Sequence, residues 1–209
     1  MLKRSYLFLF VASLFLTCCK KDNEAPSVPE FGTFMPVKTG NFWSYTGDND
    51  YTVTVNGNTK TIDGKVYVEF QSSVSGQTTN SYYRYENGDY IGLTEEFDNF
   101  SLVFLKENAS KGDQWETEIL QSNVSTQVKY SLEVIDFLDS KEVQGTTYED
   151  IQVVEMTVYM NFSGTGVFDP DDFFAFSSQT AYYAKNVGLI KQEGILFGVN
   201  SELIDYNLN

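Results

Sequence analysis

Between residues 124 and 134 apolar and polar positions alternate without a break. Val124, Thr126, Val128, Tyr130, Leu132 and Val134 fall on one face, and Ser125, Gln127, Lys129, Ser131 and Glu133 on the other. A period of two predicts an extended strand with one dry and one wet face, the habit of an antiparallel sheet. Val154, Met156, Val158, Met160 and Phe162 repeat the pattern and predict a partner strand of matching length. The same alternation marks Tyr51–Val55, Val66–Val74 and Tyr82–Tyr85. Shorter apolar runs at Leu189-Ile190, Ile195–Val199 and Leu203-Ile204 predict the last strands. No stretch carries a sustained apolar stripe at helical spacing. Short helical turns near Thr94–Phe100 and Asp171–Phe176 are the most that is expected. The predicted fold is all-β: a single domain of twisted antiparallel sheet, as an open barrel or a sandwich.

Asn56-Gly57 and Asn87-Gly88 predict tight hairpin turns, since both residue types accept positive φ. Three marks also recur in the same order. Gly40-Asn41-Phe42-Trp43 is echoed by Gly112-Asp113-Gln114-Trp115, and Ile62-Asp63-Gly64-Lys65-Val66-Tyr67 by Val143-Gln144-Gly145-Thr146-Thr147-Tyr148. Tyr82-Tyr83 is echoed by Tyr182-Tyr183. Two similar β-meanders sharing one core would explain the echo; chance among common sheet residues, at unequal spacings, is the alternative.

The N-terminus has a different pattern. Lys3 and Arg4 precede an apolar run, Tyr6 to Leu16, of about eleven residues, where a membrane-crossing helix needs roughly 20. The run ends at Leu16-Thr17-Cys18-Cys19. This resembles a lipobox with Cys19 as the acylated residue; choosing Cys18 would place Phe15 where Leu is wanted. Residues 1–18 are then a signal peptide, and several acyl chains on Cys19 hold firmly where one would not. Lys20-Lys21-Asp22-Asn23-Glu24 resembles the short Lys-then-acidic export signal of Bacteroidota-type surface lipoproteins, with Asn23 interrupting the acidic pair. That resemblance implies an outer-membrane lipoprotein facing the cell exterior, or otherwise the periplasm. Residues 19–36, with Pro26, Pro29 and Pro36, read as a tether, and the β domain as residues 37–209.

Composition narrows the function by exclusion. The chain has 14 basic and 29 acidic residues and a net charge of −15. Loss of Lys3 and Arg4 with the signal leaves 12 basic residues and a net charge of −17. A polyanion does not bind nucleic acid, and the membrane contact falls to the lipid anchor alone. Histidine is absent and the folded part has no cysteine. This rules out a Ser-His-Asp triad, zinc sites built on His or Cys, and a disulfide. No phosphate-binding glycine loop is present, and no cofactor is expected. Glu95-Glu96 and Asp171-Asp172 are candidate carboxylate pairs, and Asp48-Asn49-Asp50 and Asp169–Asp172 offer oxygen ligands for Ca²⁺. Neither matches an EF-hand, and solvated turns account for both. No catalytic or metal-binding residue is assigned.

The ordered set Gly-x-x-Trp, x-Gly-x-x-Tyr and Ala181-Tyr182-Tyr183-Ala184-Lys185-Asn186-Val187-Gly188-Leu189-Ile190 resembles a broad group of exported β-rich lipoprotein domains, over roughly residues 36–206. The resemblance implies fold and location and carries over no catalytic residue. The leading functional expectation is a non-catalytic binding or structural role toward a glycan, peptide or protein. The alternatives are a half-barrel carrying a lipid or other hydrophobe in an apolar cavity, and a carboxylate-dependent glycan-processing protein. The segment Asn161–Thr180 lengthens the second half: Gly64 to Tyr82 spans 18 residues, Gly145 to Tyr182 spans 37. Its Phe168, Phe173, Phe174 and Phe176 are either a contact loop or a plug over one end of the core.

Overall fold

Twelve strands in chain order make one antiparallel sheet in the computed structural model. They are β1 (Phe42–Gly47), β2 (Tyr51–Ile62), β3 (Lys65–Val74), β4 (Gln77–Glu86), β5 (Asp89–Thr94) and β6 (Phe100–Lys106), then β7 (Gln114–Leu120), β8 (Thr126–Val143), β9 (Thr146–Phe162), β10 (Phe174–Ala184), β11 (Gly188–Ile195) and β12 (Ser201–Asn207). The structure describes residues 29, 31–94, 100–120, 126–162, 169, 172–195 and 199–209. Among these there is no helix.

The spatial order is β6-β5-β4-β3-β2-β1-β12-β11-β10-β9-β8-β7. Each half of the chain is a six-strand meander, and the two meanders join where β1 pairs with β12. The three sequence echoes fall on equivalent elements: before and into β1 and β7, around the β2–β3 and β8–β9 turns, and in β4 and β10. The equivalence extends to single hydrogen bonds. Gly40 N–H donates to the Val55 carbonyl at 2.8 Å, Asn41 N–H to Lys38 at 3.0 Å, and Val55 N–H to Asn41 at 2.9 Å. In the second half Gly112 donates to Val134 at 2.8 Å, Asp113 to Ser110 at 3.0 Å, and Val134 to Asp113 at 3.0 Å. Gly40 and Gly112 both stand at φ 89°, a conformation that excludes most side chains. The echo is therefore a structural repeat.

From Thr126 onward the alternating run predicted across 124–134 pairs as expected, and Val124 and Ser125 lie outside the described residues. Leu132 faces Met156, Val134 faces Val154, and Leu132, Val134 and Val154 are buried. A bulge after Val134 then redirects the rest of the β8–β9 hairpin. Its tip reaches side chains of β10 and β12: Lys141 Nζ sits 4.1 Å from the Tyr182 ring centroid, Tyr148 meets Tyr206 at a tilt, and Gln144 Nε2 donates to Glu202.

Three expectations need correction. Asn56-Gly57 is not a hairpin turn. β2 runs through it to Ile62, and the pairing with β3 jumps between Val55 and Thr59. The Asn56 and Asn58 amides bond the Glu69 carboxylate at 2.7 and 3.1 Å, so positive φ at Gly57 makes a bulge; Asp63-Gly64 makes the turn. Phe174–Phe176, expected to lie in a helical turn, begins β10 because Phe174 and Ala175 pair with Met160 and Tyr159. The packed body also starts upstream of Val37. Phe34 is buried against Tyr90, Leu105, Leu132 and Val154, with Phe31 and Met35 beside it. A run of prolines signals extended chain, and extended chain packs as well as it tethers.

The two outer strands, β6 and β7, form no ladder with each other. Side chains close the gap. Trp115 Nε1 donates to the Val103 carbonyl at 2.7 Å, the Lys106 ammonium lies 5.3 Å from the Trp115 ring centroid, and Phe100 stacks on Tyr130 at 6.1 Å. The sheet is thus a nearly closed barrel. Trp115→Phe should cost about 1 kcal/mol, the value of a lost hydrogen bond, and Trp115→Ala about 2–3 kcal/mol. Urea denaturation measures both; equal stability of all three proteins would show that the indole does not hold the seam.

Candidate functional site: a chamber inside the barrel

Side chains projecting inward from β1–β6 and β8–β11 leave a chamber of about 450 Å³. A sheet closed from eight strands is just wide enough for side chains to fill, so twelve leave room to spare. Most of the wall is apolar: Trp43 and Val53, Phe70, Leu102 and Phe104, and Leu132, Val154 and Met156 from the second half. Trp43 stacks on Phe70 at 6.2 Å, and Tyr83 meets Phe70 and Phe104 edge-on at 4.9 and 5.5 Å. These contacts fix the aromatic wall in place.

One end is stoppered by the segment Phe31–Met35. Phe34 and Met35 form part of the chamber lining. The stopper's backbone is pinned on both sides. Thr33 N–H and Oγ1–H both donate to the Glu107 carboxylate, the hydroxyl at 2.6 Å, and Tyr90 donates to the same carboxylate. The Phe34 N–H donates to the Tyr90 hydroxyl at 2.9 Å, and Asn186 N–H to the Thr33 carbonyl at 2.6 Å. Asn41 is also buried; its Nδ2 donates to the Pro36 carbonyl and its Oδ1 accepts the Asn209 N–H. The stopper is therefore integral to the fold.

Polar groups enter the chamber toward the other end, where β1 finishes and β2 and β12 begin. Tyr51 Oη donates to Ser201 Oγ at 3.1 Å, and that hydroxyl donates to Gln192 Oε1 at 3.4 Å. Gln179 and Gln192 both line the chamber, as do Ser72 and Ser81. Tyr45 stacks on Tyr51 at 4.7 Å and donates its hydroxyl to the Leu189 carbonyl at 3.0 Å. The Tyr183 hydroxyl also faces the chamber and has no hydrogen-bond partner among the described residues. Burial pushes the Tyr45, Tyr51, Tyr83 and Tyr183 hydroxyls up from their ordinary value. They stay neutral donors at any physiological pH. No charged side chain lines the chamber among the described residues.

The residues singled out from the sequence lie elsewhere. Phe173 is half-buried, with the Lys129 ammonium 5.2 Å from its ring centroid; Phe174 is 47 % exposed and packs on Phe162; Phe176 is half-buried in β10. Phe168, Cys19, Glu95-Glu96 and Asp171 lie outside the described residues. Among the described residues no group of three or more carboxylates is placed to hold a metal ion. The chamber escaped the sequence reading because its residues come from ten strands. Only the Tyr83/Tyr183 echo, whose two members both line the chamber, hinted at it.

No family model matches the chain, and no curated protein is similar enough to match it. Two solved structures are similar in fold. One, a "putative lipoprotein" from Parabacteroides distasonis, has 12% sequence identity and a TM-score of 0.49, over 86% of this chain and all of that one. The other, a "putative exported protein with YmcC-like fold" from Bacteroides fragilis, also has 12% identity, with a TM-score of 0.45, over 84% of this chain and 99% of that one. The functional reading rests on the chamber.

The raised tyrosine hydroxyls make the fold sensitive to alkali. Unfolded tyrosine ionises near pH 10, and in the folded barrel these groups hold their protons to higher pH. Stability is therefore level below about pH 10 and falls as the pH rises toward the folded values. After the exposed tyrosines have ionised, the remaining tyrosinate absorbance should appear only together with loss of β-sheet circular dichroism. Full ionisation near the ordinary value with the sheet intact would show that the four rings are solvated.

Proposed function

We propose that this chain is an exported, lipid-anchored protein that binds one small apolar molecule inside its barrel and does not transform it. The chamber carries the reading. At about 450 Å³ it falls within the size range of small-molecule sites, and it combines an apolar aromatic wall with a few convergent polar groups. Of the alternatives read from the sequence, the hydrophobe carrier needs an apolar cavity, which this chamber supplies. A carboxylate-dependent hydrolase needs two acids flanking a substrate, and among the described residues the chamber wall contributes none. The lipobox-like stretch ending at Cys19 and the Lys-then-acidic segment after it support acylation and display at the outer membrane, facing outward. The exposed Phe162–Phe174 pair remains a candidate contact for a glycan, peptide or protein partner.

The test uses phenylnaphthylamine, a neutral dye that brightens in apolar surroundings. The chain carrying Cys19→Ser should bind it at about one equivalent. Ala181→Leu, which adds bulk to the chamber wall, should remove most of that binding, whereas Ile204→Ser on the exposed surface should not. Absence of dye binding, or undiminished binding by a folded Ala181→Leu variant, would rule out a ligand-accepting chamber.

Anchoring is tested separately. Cys19→Ser should move the protein from the membrane fraction to the soluble fraction without changing its thermal melting, and Cys18→Ser should not release it. Release by Cys18→Ser alone would reverse the choice of cysteine.

A further inference from the structure

The chamber is apolar at one end and polar at the other, and this polarity bears on what it holds. At the stoppered end the wall is Phe34, Met35, Phe104, Leu132 and Val154. Toward the other end stand Gln179, Gln192 and Tyr51, with Tyr183 between. Ser201 occupies the Gln192 Oε1, which leaves that side chain's amide N–H groups for a guest. The Gln179 amide and the Tyr183 hydroxyl likewise have no protein partner among the described residues. The spare groups are thus rich in donors, and no cation or anion stands among them.

Size adds a second constraint. A volume of 450 Å³ equals about 15 waters at roughly 30 Å³ each. That suits one chain or ring system of comparable atom count. Charge adds a third. A buried ion without a counter-ion costs far more than a neutral polar group that finds hydrogen bonds. Among the described residues the chamber offers no lysine or arginine to a carboxylate. Its tyrosines, held neutral by burial, offer no negative charge to an ammonium. Beyond the polar end, Phe162, Phe174, Ile195 and Val199 are exposed around the strand ends. An apolar approach surface of this kind suits a guest that arrives tail first.

We propose that the guest is an uncharged single-chain amphiphile, its apolar body against the stopper and an oxygen-bearing neutral head (alcohol, ester or carboxamide) on Gln179, Gln192 and Tyr183. This rests on the cavity-binding reading above and adds the ligand class to it.

The experiment is competition for bound phenylnaphthylamine at neutral pH, with the chain carrying Cys19→Ser. The competitors are dodecanol, methyl undecanoate, dodecanoate and dodecyltrimethylammonium, which share a similar apolar body and differ in head charge. The alcohol and the ester should compete at least about tenfold better than the carboxylate and the ammonium. Gln179→Leu and Tyr183→Phe should each lower dodecanol affinity relative to dye affinity, by about tenfold if one hydrogen bond of roughly 1.4 kcal/mol is lost. Equal or tighter binding of dodecanoate or of dodecyltrimethylammonium would overturn the neutral-head assignment and leave the cavity reading standing. Undiminished dodecanol affinity in both variants would overturn the assignment of the head to these side chains. Failure of the dye and of every competitor to bind would end both.

Discussion

A twelve-strand sheet has two edges, and the fold depends on bringing them together. An exposed edge leaves unpaired backbone groups ready to recruit another strand. Here β6 and β7 approach without forming a ladder, and the Trp115 indole supplies the crossing hydrogen bond to Val103. Gln152, fully buried on β9, makes a second long-range tie through its amide to the Lys106 carbonyl at 3.1 Å. Its Oε1 is left without a protein partner in the interior. Closure through side chains lets two six-strand meanders share one interior without a continuous ladder around it.

The same constraint produces the chamber. A ring of twelve strands encloses more volume than inward side chains fill, and the chain meets the excess in two ways. It places large aromatics on the wall, among them Trp43, Phe70, Tyr83 and Phe104, and it folds Phe31–Met35 into one end. What is left over is the 450 Å³ that a ligand can occupy. The stopper lies between Pro29 and Pro36, inside the segment that the sequence reading takes as a tether.

Surface charge plays a separate part. The ion pairs are on exposed or half-exposed positions, such as Lys191 between Glu193 and Glu202 at 2.9 and 3.0 Å. Pairs of this kind add little to stability. The sequence as a whole carries an acidic surplus, while among the described residues the chamber's lining is free of charge.

Strand positions were legible in the sequence because a period of two survives in any strand with one wet face. The run from Thr126 to Val134 and its partner from Val154 gave the pairing and, for Leu132, Val134 and Val154, the buried face, whereas Phe162 at the far end of the partner is exposed. The repeat was legible too, since glycine at φ 89° and the positive-φ turn pairs leave residue types that can be recognised without coordinates. What the sequence alone could not decide was anything set by distance along the chain. Asn56-Gly57 looks like a turn locally, and only the reach of both asparagines to Glu69 makes it a bulge. Phe34 looks like part of a tether until Tyr90 and Glu107, more than fifty residues away, take hold of its backbone and that of Thr33. The chamber has almost no local signature beyond the Tyr83/Tyr183 echo. Its lining alternates with outward residues on ten strands, and its volume follows from the number of strands in the ring, which tertiary closure alone determines.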